Sequence, residues 1–109
     1  MSSSQYSTFI QKIEAIIHSN LENNEFDVQA LAENLFISRV QLYRKLVKIT
    51  GFSPTTFIRQ YRLREGKELL GNSQLQIKEI AYKVGFKDPA HFTNAFRAYY
   101  GVTPSEERR

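Results

Sequence analysis

The apolar residues of this chain recur at helical spacing from end to end. Tyr6, Phe9, Ile10, Ile13, Ile16, Ile17 and Leu21 fall at i, i+3, i+4, i+7, i+10, i+11 and i+15, which predicts an amphipathic helix ending near Asn20. Asn23, Asn24 and Glu25 make a polar break. Asp27 is placed to cap a short second helix whose inner face is Val28, Leu31, Ala32 and Leu35. Ser38 and Gln41 have capping-box spacing, so a third helix should run from Arg39 to about Ile49. Gly51 suits the left-handed cap that would end it. Ser53 and Pro54 then start a long fourth helix through Phe57, Ile58, Tyr61, Leu69 and Leu70, with proline in the first turn. About sixteen helical residues span roughly 24 Å. Gly71, Asn72 and Ser73 should break this helix. The pattern then recurs, with a short helix over about 77–84, a turn over 85–88 and a helix over about 89–100. Gly101 stops that helix, and Thr103-Pro104 opens a short last turn. The prediction is an all-α fold of seven helices with no strand.

The recurrence is a repeat in register. Val28, Leu31, Ala32, Leu35 and Ile37 match Ile77, Ile80, Ala81, Val84 and Phe86 at an offset of 49. Ser38, Leu42, Leu46, Gly51, Ser53 and Pro54 match Asp88, Phe92, Phe96, Gly101, Thr103 and Pro104 at an offset of 50. The slip falls between Ile37 and Ser38, where a turn between two short helices would absorb it. Such a pair of helices reads as a helix-turn-helix. The first helix must approach the second closely, and Ala32 and Ala81 supply the small residue at the crossing. Four positions on, the chain enters a tight turn where glycine is easiest; the second copy has Gly85, the first Phe36. With the apolar face buried, Arg39, Val40, Tyr43, Arg44 and Lys48 point outward, and their counterparts are Pro89, Ala90, Thr93, Asn94 and Ala98. The whole chain, 1–109, reads as one domain, with a first helix-turn-helix over 26–47, a linking helix over 54–70 and a second helix-turn-helix over 74–97. Two copies of such a unit suggest two reading heads for DNA.

Composition agrees. Of 109 residues, 41% are hydrophobic and fourteen are aromatic, as expected of a folded chain. There is no cysteine, so neither a disulfide framework nor a thiolate metal site can form. Residues 1–7 are polar and uncharged, unlike a signal peptide, and no apolar run reaches membrane-spanning length. The expectation is a soluble, cytoplasmic protein with no membrane partner. Net charge is only +4, yet residues 34–64 hold seven basic residues (Arg39, Arg44, Lys45, Lys48, Arg59, Arg62, Arg64) and no acidic one. A charge run is often a plain solvated face; its coincidence with a reading element points to a phosphate-facing surface. Catalysis finds no support: the two histidines lie 73 positions apart, and there is no triad, metal set or phosphate loop. His18 reads as a helix-end histidine without special task. A helical protein-interaction module is the rival class, and the acid-free basic segment argues against it.

The stretches LAENLFISRVQLYRKLVKITGFSPTTFIRQYRLREGKELL (31–70) and IKEIAYKVGFKDPAHFTNAFRAYYGVTPSEER (77–108) resemble the DNA-binding domain of the AraC/XylS transcription regulators. The likeness covers nearly the whole chain, from about Phe9 to Arg108. It implies a homeodomain-like pair of helix-turn-helix units entering successive major-groove segments on one DNA face, held by the linking helix. It also implies base-reading positions at Val40, Tyr43 and Arg44, matched in the second unit by Pro89, Ala90, His91, Thr93 and Asn94. Our candidates for base reading are Val40, Tyr43, Arg44, His91, Thr93 and Asn94; for phosphate contact, Arg39, Lys48, Arg59 and Arg97. No cofactor is expected. The implied partners are double-stranded DNA, RNA polymerase and, in a longer parent protein, a sensing or dimerisation domain. The stretch from Ser38 to Arg59 resembles the C-terminal output domains of hybrid two-component sensors, which favours an output fragment over a stand-alone regulator.

Three features depart from the family pattern. Gly66 stands inside the linking helix where alanine is usual, so Gly66→Ala should stabilise the fold by about 0.5–1 kcal/mol. Glu107 replaces a usual aromatic, so the last helix should be poorly anchored. The second recognition helix offers few long polar side chains, so the first unit should carry most of the discrimination.

Overall fold

A computed structural model describes residues 3–109, and side chains from Ser7 onward; Tyr6, expected on the apolar face of the first helix, lies outside the described side chains. The described residues form seven helices: α1 (Ser3–Ser19), α2 (Val28–Asn34), α3 (Arg39–Thr50), α4 (Pro54–Asn72), α5 (Ile77–Lys83), α6 (Pro89–Tyr100) and α7 (Pro104–Arg108). They divide into two compact units. The first takes the residues up to Asn20 with Glu25–Arg59, and the second takes Leu21–Asn24 with Gln60–Arg109. The chain passes from one to the other within α4.

In the first unit α1 buries Ile13 and Ile17 completely, as its spacing predicts. The Asp27 carboxylate accepts the Ala30 N–H at 3.0 Å and starts α2. Ser38 and Gln41 close a reciprocal cap on α3: the Gln41 N–H donates to the Ser38 hydroxyl at 3.1 Å, and the Ser38 N–H donates to Gln41 Oε1 at 2.9 Å. Gly51, at φ 80°, ends α3 in the left-handed conformation and donates its N–H to the Val47 carbonyl. Phe26, Leu31, Ala32, Leu42, Leu46, Phe57 and Ile58 complete the buried apolar set of this unit.

The second unit closes on a cluster of Leu63, Leu70, Ile80, Ala81, Val84, Phe86, Phe92 and Phe96. Its rings pack at tilted angles, with centroids 5.3 Å apart for Phe86–Phe92 and 5.7 Å for Phe92–Phe96. Asp88 caps α6 by accepting the His91 N–H at 2.7 Å, Pro89 opens the helix, and Gly101 at φ 82° ends it.

Two expectations are corrected, and a third meets packing that opposes it. The linking helix does not break at Gly71: it runs to Asn72, because the Ser73 N–H still reaches the Leu69 carbonyl at 3.0 Å. Gly66 faces packing that its place in the helix does not reveal. A methyl there would sit 2.8 and 2.9 Å from Cε1 and Cζ of the fully buried Phe92 ring, so glycine is what lets α6 lie against α4. The last helix is firmly held although Glu107 is no aromatic. The Arg108 guanidinium donates to the carbonyls of Leu75 at 2.6 Å, Leu70 at 3.2 Å and Ser73 at 3.3 Å, Pro104 is buried, and Thr103 and Glu106 form a capping box.

Candidate nucleic-acid interface

Each unit contains a helix-turn-helix, and the two turns share one hydrogen-bond pattern. In the first, the N–H groups of Leu35, Phe36 and Ile37 donate to the carbonyls of Leu31, Glu33 and Ala32. In the second, those of Val84, Gly85 and Phe86 donate to Ile80, Tyr82 and Ala81. Every pair is related by the offset of 49 seen in the sequence. Ala32 and Ala81 are buried at the crossings. The extra residue is Lys87, between Phe86 and the cap Asp88, which makes the offset 50 from there onward.

With Leu42 and Leu46 buried, α3 turns its other faces to solvent. Val40 is 58% exposed and Tyr43 53%, so Tyr43 is not a core residue. Arg39, Arg44 and Lys48 are exposed as well. Arg39, Val40, Tyr43 and Arg44 line one open groove of about 640 Å³, together with Val28, Ser53, Pro54 and Thr55. Ser53 and Thr55 are not among the sequence candidates. They reach this surface because the α3–α4 connection folds the start of α4 back beside α3, which spacing along one helix does not reveal. Arg59 is exposed on α4.

In the second unit Phe92 and Phe96 are buried, and His91, Asn94 and Arg97 are exposed. Thr93 is half-buried, so less of it is available than its position suggests. The His91 ring stands edge-on to Phe86, with centroids 5.4 Å apart. His91, Asn94 and Arg97 succeed one another at i, i+3 and i+6 along a single outward face.

The basic segment is only partly a surface for anions. Arg62 is 6% exposed, with its guanidinium turned inward onto backbone carbonyls, and burial pushes its pKa below the usual arginine value. It remains a cation, but no phosphate can reach it. Lys45 lies over the Phe9 ring, its ammonium 4.9 Å from the centroid, and Arg64 lies over Tyr61 at 5.4 Å. Both remain exposed, so with Arg39, Arg44, Lys48 and Arg59 they are the basic side chains of that segment turned to solvent. Among the described residues no group of His, Asp and Glu is arranged to hold a metal ion, and no helix is long and apolar enough to cross a membrane.

Paired helix-turn-helix units, each turning a capped helix outward over a buried apolar face, define the chain as a helix-turn-helix protein. Residues 31–109 match the helix-turn-helix domain family. The chain belongs to that family, as a DNA-binding domain of AraC type. It is 36% identical over 97 residues to histidine kinase P4 of Formosa agariphila, a match covering 89% of this chain and 7% of that protein. Among solved structures it resembles the C-terminal domain of the two-component response regulator yesN from Fusobacterium nucleatum, with 30% identity, a TM-score of 0.83 and coverage of 94% and 99%. It also resembles the DNA-binding domain of the global transcriptional factor AdpA in complex with a target DNA, with 28% identity, a TM-score of 0.82 and coverage of 90% and 87%. The chain spans 7% and 38% of the length of two curated relatives that it matches, the kinase and the Msm operon regulatory protein of Streptococcus mutans.

Proposed function

We propose that this chain reads duplex DNA with α3 and α6 in two successive major-groove segments on one face of the helix, as the output domain of a longer regulator. The carrying observation is the face of α3, where Arg39, Val40, Tyr43 and Arg44 stand together over a fully buried Leu42–Leu46 seam. An arginine presented this way can donate two hydrogen bonds to the O6 and N7 of guanine, and Val40 can cover a thymine methyl. Tyr43, His91, Thr93 and Asn94 complete the base-reading set, while Arg39, Lys48, Arg59 and Arg97 hold phosphates and set the register.

The output role is supported by likeness to a histidine kinase of which this chain would occupy 7% and to the C-terminal domain of a two-component response regulator. Such a regulator works in the cytoplasm, with a sensing or dimerisation domain in the same protein and RNA polymerase as its target. Binding to a selected duplex, titrated from low to physiological salt, tests the DNA reading. Four neutralised phosphates imply a log–log slope of about −3 to −5, and hydroxyl-radical footprinting should show two protected segments about one helical turn apart. A slope near zero would instead leave a protein-interaction module, and one protected segment would remove α6 from the DNA.

A further inference from the structure

Arg62 is the buried charge that DNA contact leaves unexplained. It projects from α4 inside the second unit, 6% exposed, and its guanidinium fork spans two pieces of backbone. Nη1 donates to the Leu21 carbonyl at 2.5 Å and to the Val84 carbonyl at 2.8 Å, and Nη2 donates to the Asn23 carbonyl at 3.2 Å. Val84 is the C-terminal cap of α5, so its carbonyl belongs to the set that a helix end leaves without an intrahelical partner. Leu21 and Asn23 lie in the segment after α1, where the backbone forms no ladder. A planar, multiply donating cation can hold all three at once; an ammonium on a flexible stem cannot reproduce that fork.

The turn that aims α6 begins immediately after Val84. Gly85 takes φ 94°, and any β-carbon there would collide with Arg62 Nη1 and the Leu21 carbonyl oxygen. Phe86, Lys87 and the cap Asp88 then lead directly into Pro89 and the candidate readers His91 and Asn94. The first turn is open where this one is closed: Phe36, at the place of Gly85, is 93% exposed. Resting on the proposed DNA reading, we propose that Arg62 is a positioning residue for the second recognition helix: it pins the end of α5 against the 21–24 segment and so sets where α6 meets the base edges.

The test compares wild type with Arg62→Met and Arg62→Lys on a library of single-base variants of the selected duplex, all measured where each protein is folded. The half of the site assigned to α6 is the half whose preferences Asn94→Ala flattens, and Arg44→Ala marks the other. Arg62→Met should flatten the α6 half by about fivefold, the scale of one good base contact, and leave the α3 half within about twofold. Arg62→Lys should fall between. Leu70→Ala, which thins the same core without touching the turn, should lower stability and leave both patterns intact. Amide hydrogen exchange supplies a readout free of DNA: Arg62→Lys should speed exchange at Gly85 and Phe86 while Ile80 and Phe92 stay protected. Equal flattening of both halves, an unchanged α6 half, or loss of protection throughout the unit would overturn the inference. Wild type that shows no salt-dependent binding would overturn the DNA reading itself, and this inference with it.

Discussion

The two helix-turn-helix turns solve one backbone problem in opposite ways. Both need a residue at positive φ between a short helix and the capped helix that follows, and both close with the same hydrogen bonds. In the second unit the position is Gly85, buried and walled by Arg62 and the Leu21 carbonyl. In the first it is Phe36, at φ 57° and 93% exposed. A left-handed conformation costs a residue with a β-carbon roughly 1–2 kcal/mol, so both sites favour glycine locally. Only the second enforces it. Solvent beside the first turn leaves room for any side chain, so the strain there is tolerated; packing beside the second leaves none. A helix-turn-helix glycine is therefore demanded by what lies outside the turn as much as by its φ.

The largest expected effect breaks that pairing directly. Gly85→Ala forces a methyl into Arg62 and the Leu21 carbonyl as well as into left-handed space, and should cost about 3–4 kcal/mol by urea denaturation. Gly66→Ala extends the same logic to α4. Its methyl would strike the buried Phe92 ring, so a loss of about 1–3 kcal/mol is expected, where helix propensity alone promised a gain. A measured gain would mean that the Phe92 ring shifts at little cost.

The two reading faces should differ as the turns do. Arg44→Ala should relax base preference in its half of the site by about 1–3 kcal/mol, and Asn94→Ala by less, because a forked guanidinium discriminates better than a short amide. Binding of both variants to single-base operator mutants ranks them, and the reverse order would make the second unit the main reader. Phe36→Gly is a smaller test: relief of strain, offset by the unfolded-state freedom of glycine, should raise stability by up to about 1 kcal/mol. A loss would show that the exposed ring has a packing partner.

The smallest effect is on pH. The Thr103 N–H and hydroxyl hold the Glu106 carboxyl below the usual carboxylate range. A depressed folded pKa stabilises the fold above the unfolded value and loses that contribution as pH falls through the folded one. Acid titration of stability should therefore be slightly shallower in Thr103→Ala, which loses the hydroxyl half of the cap. The gap between the two proteins should be widest above the unfolded carboxylate pKa and should narrow as the pH falls.

Much of the architecture was legible because it is local. Asp27 and Ser38 cap the helices that their spacing to the following apolar run predicts, Asp88 caps α6 at the place that the repeat matches to Ser38, and Gly51 and Gly101 end α3 and α6 at positive φ. The outward set on α3 comes from one helical period with Leu42 and Leu46 turned in. Arg62 is misread in sequence for the same reason. Between Arg59 and Arg64 it looks like another member of a basic run, and only carbonyls 39 and 41 positions back, with one 22 ahead, reveal its task. Ser53 and Thr55 escape a sequence reading because their place beside Arg39 and Arg44 depends on how α4 returns past α3.

Helix periods, the caps of α2 and α3, the two-copy repeat and the outward face of α3 were determined by the sequence alone, since each arises from residues within one turn of helix or one fixed repeat distance. The tertiary structure decided what cannot be read along the chain: that Gly66 makes room for Phe92, that Gly85 has no alternative while Phe36 does, and that Arg62 and Arg108 serve carbonyls instead of anions. Those outcomes depend on which backbone lies beside each residue, and excluded volume and unsatisfied carbonyls act across space, not along sequence.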